Sequence, residues 1–145
     1  MNLFHPWRWL HDRHARIDIV WHELPGNRAG YWDGARTIVL DPRLTQAARR
    51  STLAHELVHV ERGIIPIEPT LIAREEAAVD EIAARQLITI DALVDALRWC
   101  QRCAGAALAD EVWTDQHALN VRLATLTRDE RAQIEAALAD TEWAA

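Results

Sequence analysis

Residues 55–59 read His-Glu-Leu-Val-His. On a helix, positions four apart share a face, so His55 and His59 point the same way. Two imidazoles on one face can hold a zinc ion. Glu56 between them can serve as general base toward water that the ion activates. The competing reading is a pair of solvated histidines on an amphipathic helix. The setting argues against it: the motif sits inside a helical run that Thr45 can cap and Gly63 can end, and it follows a short β-rich segment.

Zinc catalysis usually needs a third protein ligand and one open position. The next helical run offers Arg74-Glu75-Glu76-Ala77-Ala78-Val79-Asp80. Glu76 can complete a His-His-Glu set. Asp80, one turn further on the same face, can accept a hydrogen bond from the outer nitrogen of a zinc histidine and hold its tautomer. Glu75 is the rival ligand, but its neighbour one turn on is Val79, which orients nothing. Glu75, Glu81, Arg74 and Arg85 read as solvated charges. His5, His11, His14, His22 and His117 are scattered and none stands at a ligand-like spacing. A donor for the oxyanion is expected. Tyr31, the only tyrosine, is one candidate, and any distant histidine is an equal one.

These residues need a scaffold. Pro6–Ala15 fits a short helix with proline at its first position. Ile17–Trp21 and Arg36–Leu40 read as strands, and Asp33-Gly34 suits a tight type I′ hairpin turn after Tyr31-Trp32. The expected fold is α+β: a small three-stranded antiparallel sheet packed on the metal helix and on a second ligand-bearing helix, with a helical C-terminal tail. Arg36–Leu40, if it were a sheet edge, could pair with an extended substrate. The helices fall at about Thr45–Arg62, Leu71–Ile88, Asp91–Ala104, Asp115–Leu126 and Arg128–Ala139. Leu53, Leu57, Val60, Leu71, Val79, Ile82, Ala83 and Leu87 are the expected core positions. The expected division is a metallopeptidase-like domain over residues 1–104 and a small helical extension over 105–145.

The chain has 145 residues, 50% hydrophobic and 26% charged, which is ordinary globular composition. No run approaches the roughly 20 apolar residues that span a bilayer, and no secretory signal is visible. Two cysteines are too few for a disulfide framework, so the expected compartment is the cytoplasm. The net charge is −6, and all sixteen basic residues are arginine. The acidity falls in residues 63–145, which excludes a strong non-specific nucleic-acid binder.

The order of small sheet, HELVHVERG helix, loop and EEAAVDEIAARQLI helix resembles the ImmA/IrrE family of zinc metallopeptidases, over about residues 17–90. The second motif of that family runs approximately E-x-x-A-N/D-x-F-A-A-x-L-L-x-P. Glu76 falls on the third ligand, Asp80 on the Asn/Asp, and Ala83 and Ala84 on the paired alanines. Gln86 and Thr89 depart from the pattern at the helix end, which leaves the exit of the chain open. The resemblance implies one zinc per chain, peptide-bond hydrolysis, and a helix-turn-helix repressor of phage, mobile-element or stress-response type as substrate. It also admits a non-catalytic module that sequesters such a partner. Residues 110–127 weakly resemble the helix-turn-helix-like tail of many members, but with this acidity no direct nucleic-acid binding is expected. Cys100 and Cys103 sit late in a helix and read as two small buried or surface thiols. Trp143 is a candidate partner contact.

Overall fold

Short β-forming runs followed by long alanine-rich helical runs dictate the order of elements. The structure, a computed structural model, describes residues 3–143, with side chains through residue 140. Trp143 as a partner contact therefore lies outside the described side chains. The elements are α1 (Pro6–Arg13), β1 (Asp18–Trp21), β2 (Gly30–Trp32), β3 (Thr37–Leu40), α2 (Gln46–Arg62), α3 (Pro69–Leu87), α4 (Ile90–Trp99), α5 (Gly105–Glu111), α6 (Gln116–Ala124) and α7 (Arg128–Trp143). The fold is α+β with a helical C-terminal region.

The sheet is mixed, not antiparallel. Its order is β1-β3-β2, with β1 parallel and β2 antiparallel to β3. The reason lies in residues 22–29, a connection long enough to cross the end of β3 and deliver β2 to its far side. That crossing is pinned: Leu24 N donates to Asp41 Oδ2 at 2.9 Å, and the Arg43 guanidinium bridges Asp41 and the Leu24 carbonyl. β3 carries the apolar Ile38 and Leu40, both fully buried, so it takes the centre. A substrate cannot pair along Arg36–Leu40, because both edges of β3 are occupied. The outer edges are those of β1 and β2, and β2 is the strand that packs beside the metal-bearing face of α2. The turn after β2 is also longer than a two-residue hairpin. Residues 33–36 form the loop, with the Asp33 carboxylate accepting from Ala35 N and Thr37 N, and only Gly34 takes a positive φ, 84°. A type I′ turn needs positive φ at both central residues.

Helix boundaries follow their caps. Thr45 Oγ1 accepts from Ala48 N and Gly63 closes α2. Asp115 accepts from Ala118 N at the start of α6. α4 starts two residues earlier than expected, because Thr89, not Asp91, is the cap: its Oγ1 accepts from Ala92 N at 3.1 Å. That cap also settles how the chain leaves α3. Each such cap contributes about 1 kcal/mol.

One core joins α2 to the C-terminal helices through Ala54, Val58, Val79, Ala83, Leu87, Leu93, Leu108, Leu119 and Ile134. A smaller one, Ile38, Leu40, Leu53 and Leu57, fixes the sheet on α2. Leu71, an expected core residue, is exposed, because the first turn of α3 projects beyond both cores. Cys100 and Cys103 are not free thiols. They form a disulfide across a reversal in which Gln101 and Arg102 adopt left-handed φ, so the helix expected to reach Ala104 stops at Trp99.

At the α6–α7 junction, Thr127 and Glu130 cap one another reciprocally, and the Glu130 carboxylate also takes the guanidinium groups of Arg122 and Arg85. These donors, Arg122 first, lower the Glu130 pKa to about 2. A depressed carboxylate stabilises the fold above its unfolded pKa of about 4.3 and loses that contribution as pH falls toward the folded value. Glu130→Gln is therefore expected to cost about 1–2 kcal/mol at pH 7, after allowance for solvent screening, with the difference from wild type vanishing near pH 2. Urea titrations across that range read it; a constant difference down to pH 2 would refute the charge origin.

Candidate metal centre

α2 presents His55 and His59 on one face, and α3 crosses it with Glu76 opposite. His55 Nε2 and His59 Nε2 lie 3.1 Å apart. The Glu76 carboxylate lies 3.1 Å from His55 Nε2 and 3.0 Å from His59 Nε2. Three ligands at about 2.0–2.1 Å from a tetrahedral ion stand about 3.3 Å from one another. The observed triangle is close to that size, and its two imidazole nitrogens and one carboxylate are a donor set that zinc accepts, so the residues fit a metal ion. Glu75 is elsewhere: Arg62 holds its carboxylate through Nε and Nη2, at 2.5 and 3.0 Å.

Asp80 Oδ1 lies 2.9 Å from His55 Nδ1. Asp80 only accepts when ionised, so Nδ1 carries the hydrogen and Nε2 keeps its lone pair for a metal. Burial penalises the His55 cation, but the Asp80 hydrogen bond and the surrounding carboxylates outweigh it and raise its pKa. Burial, together with the nearby His55, lowers that of His59. Burial opposes ionisation of Asp80, yet the hydrogen bonds from His55 and His117 hold its pKa below the usual value.

Glu56 is buried on the same turn, and burial raises its pKa. Trp32 N donates to Glu56 Oε2 at 3.0 Å. The strand pattern explains why that donor is available. Ala29 O and Asp33 N bond toward β3, so Gly30 and Trp32 turn their backbone groups to the free edge. Gly30 is required at that position: a Cβ there would lie 2.7 Å from Val39 O and 2.9 Å from Thr52 Cγ2. The sheet is thereby held close to α2.

The cluster forms the floor of a cleft of about 450 Å³, walled by Trp32 and Arg28 on the strand side and by Ile64, Ile65, Pro66 and Ile72 on the other. Tyr31 also lines this cleft, but it sits on the opposite pleat from Gly30 and Trp32, and the Arg28 guanidinium covers its ring at 4.5 Å. Three groups at the site were not visible as such in the sequence. The Trp32 amide and the Ile64–Ile65 wall depend on strand order and on the loop path. His117, whose Nε2 lies 2.9 Å from Asp80 Oδ2, depends on α6 packing on α3. Its spacing from the other histidines carried no signal.

No curated protein and no solved structure is significantly similar to the chain. Residues 21–89, which run from the end of β1 through the metal cluster to the cap of α4, match the peptidase family described as the IrrE N-terminal-like domain. That segment, which holds the His-His-Glu cluster, is thus similar to the ImmA/IrrE family of metallopeptidases.

Proposed function

We propose that the protein is a zinc-dependent endopeptidase that hydrolyses a peptide bond within an extended segment of a protein substrate. His55, His59 and Glu76 would hold one zinc ion, Glu56 would be the general base, and Asp80 would orient His55. The observation that carries this reading is the placement of Glu56: a buried carboxylate with raised proton affinity, fixed by the Trp32 amide at the edge of a three-ligand cluster in an open cleft.

A zinc ion bound there would activate water and polarise a substrate carbonyl. The chain supplies the rest. Glu56 takes the proton of the attacking water and returns it to the leaving amine. The free edge of β2 offers the Gly30 amide and carbonyl and the Trp32 carbonyl to an added strand, which would lay the scissile bond across the cluster. Ile64, Ile65 and Ile72 favour an apolar side chain on their side of that bond. The family resemblance makes a helix-turn-helix repressor the first protein substrate to test. Among the described residues no helix is long and apolar enough to cross a membrane.

The direct test is metal content per chain after purification without chelator. About one zinc per chain is expected, absent in Glu76→Ala, because a three-ligand open site does not survive loss of one ligand. No bound metal in the wild-type protein after zinc is supplied would overturn the reading and favour a partner-binding module.

A further inference from the structure

His117 stands at the metal cluster without a part in the reading above. It lies in the first turn of α6, and that turn is fixed from both sides: Asp115 accepts from Ala118 N at 2.8 Å, and Asp115 N donates to Ser51 Oγ of α2 at 3.0 Å. The backbone that carries His117 is therefore tied to the helix that carries the metal histidines. Its Nε2 lies 2.9 Å from Asp80 Oδ2, while Oδ1 of the same carboxylate takes His55 Nδ1. One carboxylate thus orients two imidazoles, one at the ligand cluster and one beyond it.

The side chain of His117 is 68% exposed, so it does not serve the core. It lines a groove of about 290 Å³ whose wall also includes Gly30, His55, Glu56 and Glu76. Those four residues line the larger cleft as well, so the two spaces meet over the cluster. A peptide along the edge of β2 would run from the isoleucine wall, over Glu56, toward His117. Asp80 is an acceptor only, so Nε2 carries a hydrogen. Nδ1 has no partner among the described residues.

We propose that His117 is a substrate-contacting donor of this site: with Nε2 held by Asp80, it presents Nδ1–H to the carbonyl oxygen of the bound peptide as that oxygen gains negative charge. This rests on the peptidase reading and fills the donor role for which Tyr31, its ring covered by the Arg28 guanidinium, is the other candidate. No covalent bond to His117 forms. The hydrogen bond strengthens as charge develops and weakens when the products separate.

The test uses the zinc-loaded full chain as wild type, His117→Ala and His117→Gln. Three quantities are read: zinc content, kcat and KM on a quenched fluorogenic peptide mixture, and calorimetric affinity for a peptide phosphonamidate beside its matched amide peptide. The phosphonamidate is tetrahedral and anionic, whereas the amide is planar and neutral. His117→Ala is expected to keep zinc, KM and amide-peptide affinity, and to lose about 10²-fold in kcat and in phosphonamidate affinity. His117→Gln, which retains an N–H donor, should recover part of both losses. Unchanged kcat and phosphonamidate affinity in His117→Ala would overturn the proposal. So would loss of zinc in step with kcat, since His117 would then act only by positioning His55. A wild-type protein that holds zinc but neither cleaves peptides nor binds the phosphonamidate would overturn the peptidase reading itself, and His117 with it.

Discussion

Glu56→Gln is expected to keep the metal and to lower peptide hydrolysis by about 10²- to 10⁴-fold, the usual span for removal of a general base. Glutamine has the shape of glutamate, and its carbonyl oxygen can still accept from the Trp32 amide, so the edge strand stays in place. It cannot take a proton from water. The same substitution is expected to raise the melting temperature slightly. Burial pushes the Glu56 pKa up, so ionising that carboxylate carries a desolvation cost that the neutral amide does not. Elemental analysis, a fluorogenic peptide assay and a thermal melt on one preparation read all three. Hydrolysis at the wild-type rate by the Gln variant would remove Glu56 as the base and, with it, the enzyme reading.

Arg50→Ala is expected to cause the largest loss of stability. Arg50 is buried, and its guanidinium donates to Phe4 O at 2.9 and 3.1 Å, Leu87 O at 3.1 Å and Trp113 O at 2.9 Å. Burial lowers its pKa only to about 10, so it remains a cation at neutrality. One side chain of α2 thereby ties the entry to α1, the end of α3 and the turn before α6. Alanine would leave those carbonyls unsatisfied and open a cavity, which together should cost about 3–5 kcal/mol. Arg50→Met would fill much of the cavity but satisfy no carbonyl. It should therefore remain well below wild type in a urea titration. A loss under about 1 kcal/mol in the alanine variant would show that water replaces the guanidinium freely.

The parts of the protein legible in its sequence are those fixed by local rules. The spacing of His55 and His59, the one-turn step from Glu76 to Asp80, and the caps Thr45 and Gly63 all act within a turn of helix, and each stands where its spacing placed it. What depended on long-range packing was not legible. Strand order turned on whether residues 22–29 cross β3, and the apolar pattern of three short strands is the same either way. Arg50 and Arg122 carried no signal in the sequence, because their acceptors include carbonyls far along the chain. α5 has no counterpart among the expected helices, because glycine seldom opens a helix, whereas Gly105 begins one after the reversal at Cys100–Cys103. That disulfide was discounted because two cysteines three residues apart had been placed on one continuous helix. His117 reaches the site only because α6 lies on α3.

The alternation of β2 has a consequence for the placement of a cut. Its outward backbone groups recur every second residue, and the Trp32 amide is already taken by Glu56. A guest strand that slid by a single residue would turn every side chain to the wrong face and lose its pairing at Gly30. Alternative alignments of one polypeptide in this cleft are thus separated by two residues. The scaffold sorts the positions of its guest by parity, odd from even, before any side chain is read.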